Sequence, residues 1–265
     1  MTSAPFKAAL FGHPVGHSLS PAMHAANFRA LGLTDATYEA FDVPPEELAS
    51  ALARCVVSGY CGLNLTIPHK NAVIPLLDSL DESAVLYKAV NTVRIGADGR
   101  TTGFNTDVPG FLQDLRVHGV EVKGRRVLVI GAGGAGGAIA LGCADAGAAE
   151  VAIANRTPRD GVLSLGGPEC RAFAESADVI VNATSVGLRP DDTSILPAAD
   201  FRAGQTFYDL IPIRRETASC AAARAAGARA FGGLGMLVEQ GALAFRIWSG
   251  RAADVQAMRD AIERP

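Results

Sequence analysis

Positive charge is not in excess: the 265 residues carry 24 Lys and Arg against 27 Asp and Glu, a formal net charge of -3. A nucleic-acid partner, whose phosphates call for a clear basic surplus, is therefore not expected. Paired cysteines are lacking too. Cys55, Cys61, Cys143, Cys170 and Cys220 are an odd number, and none sits in a Cys-x-x-Cys pair. That leaves neither a disulfide framework nor a zinc spacing, and it suits a reducing cytoplasm. The start, Met-Thr-Ser-Ala-Pro-Phe-Lys, has no basic segment followed by a long apolar run, so no signal peptide is expected. One uncharged stretch, 127–144, has 18 residues, the lower edge of a membrane span, but six of them are glycine. It reads as a strand turning into a helix, and no membrane partner is expected. Charged residues are only 19% of the chain and hydrophobic ones 49%, which excludes disorder and leaves ample core. The expected partner is a small molecule, bound by a monomer or homodimer in the cytoplasm.

Short apolar runs alternate with helical stretches from the start. Strands are expected at 7–12, 36–43, 62–66, 91–95 and 101–105, and helices at 21–31, 45–58, 68–77 and 107–117. This alternation predicts an α/β layer with a largely parallel sheet. A second α/β passage has strands at 126–130, 151–155, 179–182 and 206–211, with an alanine-rich helix around 221–230. Two helices, 234–249 and 253–262, close the chain with no strand between them, and they are expected to pack back on the first domain. The division is placed near Asn105: residues 1–104, completed by 236–265, form one domain and 105–235 the other.

Four segments carry chemistry. Gly131-Ala132-Gly133-Gly134-Ala135-Gly136-Gly137 follows the most apolar strand and opens a helix expected at 138–146. Glycines there permit a tight turn and bring bare backbone to a pyrophosphate seated on the helix start; the alternative is a turn that binds nothing. At the end of the next strand, Asn155-Arg156-Thr157-Pro158-Arg159 has no acidic residue to grip a ribose hydroxyl. Two guanidiniums and a hydroxyl suit a 2′-phosphate, hence NADP, or else form a solvated basic turn. His17-Ser18-Leu19-Ser20-Pro21 makes Ser20 the natural N-cap of its helix, while its two hydroxyls and the free N–H groups could also hold a carboxylate. His13, His17 and His24 share no helical face because Pro14 and Gly16 intervene, so no metal is expected. Finally, Asn64-Leu65-Thr66-Ile67-Pro68-His69-Lys70 puts one of only four lysines in the first turn of a helix, against its dipole. Asp107, at the end of a strand in Gly103-Phe104-Asn105-Thr106-Asp107, could pair with it.

These segments, with Gly12-His13-Pro14, Ala89-Val90-Asn91-Thr92, Asn182-Ala183-Thr184 and Gly235-Met236-Leu237-Val238-Glu239-Gln240, resemble the shikimate dehydrogenase family nearly end to end. The resemblance implies two lobes with a cleft between them: an α/β substrate domain and a Rossmann-like doubly wound NADP-binding domain. It also implies the reversible NADPH-dependent reduction of 3-dehydroshikimate to shikimate, a step of aromatic amino acid biosynthesis. Carried over by position, Ser18 and Ser20 hold the substrate carboxylate, Thr66, Asn91 and Gln240 bond the ring hydroxyls, and Lys70 with Asp107 form the catalytic pair. Cofactor contacts fall on Gly131, Gly133, Gly134, Ala135, Asn155, Arg156, Thr157, Arg159, Thr184, Gly235 and Met236, the last beside the nicotinamide.

The sequence departs from the family pattern in three places. Lys88 stands where glycine is usual, a bulky cation near Asn91. Pro212-Ile213-Arg214 replaces a Tyr-Asn-Pro, and the stretch 157–177 is short, as if a helix had been trimmed. These bear on substrate breadth and cofactor affinity, not on the reaction, and leave as an alternative a quinate-type dehydrogenase using NAD or NADP, its ring pocket remodelled by Lys88. A third reading, of a different class, is a non-catalytic NADP sensor. A sensor has no need of a Lys70–Asp107 pair.

Overall fold

A computed structural model describes residues 6–157 and 160–263. The first five residues, which entered the signal-peptide reading, and Arg159, an expected cofactor contact, lie outside that range. The chain divides into two compact units, Met1–Gly110 with Val238–Pro265, and Phe111–Leu237.

In the first unit, strands β1 (Lys7–Gly12), β2 (Thr37–Asp42), β3 (Gly62–Leu65), β4 (Ser79–Leu80), β5 (Thr92–Ile95) and β6 (Thr101–Phe104) form one sheet in the order β2-β1-β3-β5-β6-β4. Only β5 runs antiparallel to its neighbours. Two of the four inner strands, β1 and β3, are buried almost throughout, which is why they read as short apolar runs. Phe11, Leu63, Leu65 and Val93 pack against Leu48, Leu52 and Cys55 of the helix Leu48–Val57. Ala8 clusters instead with Ala244 and Trp248 of the helix Leu234–Ser249. The Trp248 indole N–H donates to the Val93 carbonyl at 2.9 Å, and the ring lies so close to Gly62 that a Cβ there would sit 2.1 Å from it. The last helix, Val255–Glu263, packs on the helix Ser20–Ala30, and the Asp254 N–H donates to Asn27 Oδ1 at 2.8 Å.

His24 is fully buried in this unit, stacked on Tyr38 with ring centroids 4.2 Å apart, and neither ring nitrogen has a partner. Burial pushes its pKa down to about 3. The unfolded chain, with histidine near 6.5, takes up this proton first, so stability is fully present above pH 6.5 and is lost as pH falls towards 3. The expected slope is about 1.4 kcal/mol per pH unit in that window. Denaturant titrations at pH 7 and pH 5 should show a loss that the His24→Phe variant largely lacks. Equal losses in both proteins would mean that His24 titrates normally.

In the second unit, β7 (Arg126–Ile130), β8 (Glu150–Asn155), β9 (Leu163–Ser164), β10 (Val179–Asn182), β11 (Thr206–Asp209) and β12 (Arg229–Phe231) lie in the order β12-β11-β10-β7-β8-β9, all parallel. Counted within the unit this is 6-5-4-1-2-3, the doubly wound dinucleotide order, and it reverses direction between β7 and β10. Leu128, Ile130, Ile180 and Phe207 pack with Phe173 on one face. The short stretch where a trimmed helix is expected holds β9 and a nine-residue helix, Pro168–Ser176. The alanine-rich helix is shorter than expected, Ala218–Ala225, because Gly227 takes a positive φ and the chain turns into β12. All five cysteines are free, and burial pushes the thiols up, Cys143 to about 12. Among the described residues no helix is long and apolar enough to cross a membrane.

Candidate active site

The C-terminal ends of β1, β3 and β6 and the start of the antiparallel β5 all meet one edge of the first sheet, the edge where α/β sheets bind their ligands. Thr66, Lys70, Asn91 and Asp107 lie within five residues of these strand ends, and Ser18 and Ser20 six and eight residues beyond β1. Lys70 Nζ donates to Asp107 Oδ2 at 2.6 Å. Their side chains are 21% and 14% exposed, shielded enough to strengthen the pair yet still reachable from solvent. Asp107 opens the helix Asp107–Val117, where the positive end of the dipole favours its carboxylate. Asn105 accepts from the Val108 N–H at 3.1 Å and so caps that start.

Asn91 binds the group together. Its Nδ2 donates to Asp107 Oδ1 at 2.8 Å and Thr106 Oγ1 at 2.9 Å, and Oδ1 accepts from the Thr106 N–H at 2.7 Å. Gln240 Oε1 lies at 3.4 Å from the same amide nitrogen. Gly110 lets the backbone of Gln240 come this near, since a Cβ there would be 2.7 Å from its nitrogen. Asn64, in the middle of buried β3, was not singled out from the sequence; its Nδ2 donates to the Asn91 carbonyl and to Thr92 Oγ1. The signal available was a single amide side chain among apolar neighbours in a strand.

Two local expectations are corrected. Ser20 is not an N-cap: the helix starts at Ser20 itself, the capping position is Leu19 in αR conformation, and no side chain caps it. The hydroxyl that meets a backbone N–H there is Ser18 Oγ, 3.2 Å from the nitrogen of Ser20. Alanine at position 20 therefore removes no cap bond. The helix expected at 68–77 is a single turn, His69–Ala72, followed by a 3₁₀ turn at Ile74–Leu76 around Pro75. One turn has little dipole for Lys70 to oppose, and Asp107 rather than a helix end sets its electrostatics. Lys88 is exposed and ends the helix Glu82–Tyr87 at φ 54, a left-handed position that favours glycine. Its carbonyl accepts from Asn71 Nδ2 at 2.7 Å. The departure at Lys88 is thus a backbone matter at a helix end.

Histidines 13, 17 and 24 do not gather: His13 Nδ1 meets Asp42 at 2.7 Å while His24 is buried. Among the described residues no three His, Cys, Asp or Glu side chains cluster as metal ligands.

In the second unit, Gly131 leaves β7 at φ 116, and a Cβ there would lie 2.9 Å from the Ala183 carbonyl oxygen at the end of β10. The glycine turn thus sits at the reversal point of the sheet. The helix begins at Gly134, four residues earlier than expected, so Gly134, Ala135, Gly136 and Gly137 form its first turn. Gly133 and Gly134 are exposed, and a Cβ at Gly133 would meet nothing within 4 Å. This bare backbone at a helix start fits a pyrophosphate. Arg156 and Thr157 are exposed at the end of β8, where Asn155 Nδ2 holds the turn by donating to the Thr157 carbonyl at 3.1 Å. The Thr184 hydroxyl is engaged on both sides, donating to Asn182 Oδ1 at 2.7 Å and accepting from the Val186 N–H at 3.1 Å, so it shapes the turn after β10. Asn182 also donates to Asp209, whose carboxyl burial pushes up. Gly235 packs directly on Asp114, whose carboxylate would lie 2.0 Å from a Cβ, and Met236 is half-buried beside it.

Two family descriptions match the chain: "Shikimate dehydrogenase substrate binding domain" over residues 10–93 and "Shikimate 5'-dehydrogenase C-terminal domain" over 233–263. A shikimate dehydrogenase (NADP(+)) from Moorella thermoacetica is 43% identical over 267 residues, covering 94% of this chain and 90% of that protein. The structure of shikimate 5-dehydrogenase from Thermus thermophilus, in complex with NADP(H) and shikimate, is 42% identical with a TM-score of 0.88, covering 98% of this chain and 99% of that one. A quinate dehydrogenase from Corynebacterium glutamicum, in complex with NAD, is 32% identical with a TM-score of 0.86, covering 97% and 98%.

Proposed function

This chain belongs to the shikimate dehydrogenase family, and we propose that it catalyses the reversible reduction of 3-dehydroshikimate to shikimate with NADPH. It is an NADP-dependent oxidoreductase acting in the cytoplasm, its first unit taking the ring acid and its second the dinucleotide. The observation that carries the reading is the Lys70–Asp107 contact at 2.6 Å, with Asn91 holding the other carboxylate oxygen. NADPH, when bound, supplies the hydride. Lys70 gives a proton to the ring oxygen as the ketone becomes an alcohol, and takes it back in reverse. Asp107 aims the ammonium and balances its charge. Ser18 and Ser20 receive the ring carboxylate, and Thr66, Asn91 and Gln240 bond the hydroxyls. The glycine turn would seat the pyrophosphate at Gly131, Gly133, Gly134 and Ala135, and Gly235 with Met236 would border the nicotinamide. The exposed Lys88 gives no reason to favour quinate.

Arg156 is the residue placed to read the 2′-phosphate, because β8 follows the strand that presents the glycine turn and ends without a carboxylate at that point. A charge-assisted hydrogen bond contributes about 1.5–3 kcal/mol, roughly 10–150-fold in affinity. Arg156 is exposed, so an effect near the low end, weakening with salt, is expected. Rates of cofactor reduction should be compared for shikimate and quinate, each with NADP and NAD. The expected result is preference for shikimate with NADP, and Arg156→Ala should weaken NADP while leaving NAD almost unchanged. Equal use of NAD and NADP by the unmodified protein would overturn the assignment of Arg156.

A further inference from the structure

Tyr38, on edge strand β2, takes no part in the roles assigned above, yet its hydroxyl donates to Asn64 Oδ1 at 2.8 Å. We propose that Tyr38 is a positioning residue for ring-acid binding: its hydroxyl fixes the orientation of the Asn64 amide and so the direction of the hydrogen bonds running to Asn91. The proposal rests on the ring-acid reading of the first unit.

The direction of each bond follows from the groups. Because Tyr38 supplies a proton to Asn64 Oδ1, Asn64 Nδ2 faces the Asn91 carbonyl at 3.2 Å and Thr92 Oγ1 at 3.0 Å. Thr92, having accepted from Asn64, is left to donate towards Asn91 Oδ1 at 3.3 Å or Thr106 Oγ1 at 3.0 Å. With Oδ1 filled by donors, Asn91 turns its NH₂ to Asp107, the only polarity a carboxylate can accept. Donors thus point one way along the chain from Tyr38 to Asp107. The residues between are buried, Asn64 at 5%, Asn91 at 2% and Thr92 at 0% exposure, so water cannot repair a missing donor.

The same phenol lies beside Ser20. Burial drives the phenol pKa up, and the Ser20 hydroxyl partly offsets this. Tyr38 is therefore placed between a group assigned to the carboxylate and the network assigned to the ring hydroxyls. Its ring is held by the stack on His24, which phenylalanine would keep. Without the phenolic O–H, Asn64 Oδ1 has no donor. Rotating the amide would set that oxygen against the Asn91 carbonyl and draw the Thr92 proton away from Asn91, so neither orientation satisfies the group.

The test is a kinetic cycle on the full chain with Tyr38→Phe, Asn64→Ala and the double variant, using shikimate and NADP. Tyr38→Phe should raise KM for shikimate about five- to tenfold, the worth of one neutral hydrogen bond, and leave kcat and the KM for NADP within about twofold. In the Asn64→Ala background the same change should alter KM by less than about twofold, since the path through Asn64 is already cut. A purely structural role would lower the melting temperature and apparent kcat through the folded fraction, with KM unmoved; that outcome overturns the proposal. So does a full effect in the Asn64→Ala background. Failure of the unmodified protein to oxidise shikimate would overturn the ring-acid reading, and this proposal with it.

Discussion

Lys70→Ala is expected to lower turnover by about 10²–10⁴-fold, the usual contribution of a placed acid–base group. The ammonium lies 2.6 Å from Asp107 on a one-turn helix, so little besides this ion pair fixes its position. Removing it leaves Asp107 with the Asn91 amide at 2.8 Å and the start of its own helix, so the carboxylate is not stranded. Partly exposed ion pairs contribute about 1 kcal/mol or less to stability, and folding should survive the change. The glycine turn lies in the other unit, and NADPH binding should be nearly unaltered. Asp107→Asn should also be severe, because the ammonium then loses its counter-charge and its aim. Steady-state kinetics with shikimate, beside NADPH fluorescence titration, separate chemistry from binding. Near-normal kcat in Lys70→Ala would remove this lysine from the proton transfer.

The second large effect is expected at Gly136. A Cβ there would lie 1.9 Å from the Gly131 carbonyl oxygen, backbone against backbone, with no flexible side chain able to yield. Gly136→Ala must part the turn from the first turn of its helix. Overpacking of this kind costs about 1–3 kcal/mol or more, and a lowering of the melting point by several degrees is expected for a chain of this size. The helix start that would hold the pyrophosphate moves with it, so NADPH affinity should collapse as well. Gly133→Ala is the counterpart: its Cβ would meet open space. Melting should be unchanged there, while NADPH binding weakens because a methyl group now stands where the cofactor backbone must approach. Tight NADPH binding by Gly133→Ala would show that the turn does not carry the pyrophosphate.

Much of the architecture was legible because buried parallel strands are written as short apolar runs. β1 and β7 fall on the expected residues, and the helix Asp107–Val117 matches at both ends. What escaped was short or non-local. Two-residue strands such as β4 and β9 bury too little to leave a pattern. The helix around Lys70 was overextended because its apolar spacing continues through Pro75, where the helical ladder breaks. Ser20 looked like a cap because serine before proline is the usual signature, but Leu19 adopts αR and the helix begins one residue early. Lys70 and Asp107, 37 residues apart, could be offered as a pair from a lysine at a helix start and a carboxylate at a strand end, whereas Asn91 joined them only through family resemblance. Tyr38 and Asn64, 26 residues apart on different strands, offered no sequence signal of their pairing.

The division of the chain has a consequence for biosynthesis. The second unit is one continuous stretch, whereas the first is completed only by residues 238–265. A ribosome adding about 5–20 residues per second spends on the order of ten seconds on the intervening segment. Through that interval Gly62 lacks the indole of Trp248, the Val93 carbonyl lacks its donor, and Asn27 waits for the Asp254 N–H. The part of the protein made first is therefore finished last, and its sheet, complete in its strands but bare where Ala244 and Trp248 will cover Ala8, must be kept from other chains until the final two helices emerge.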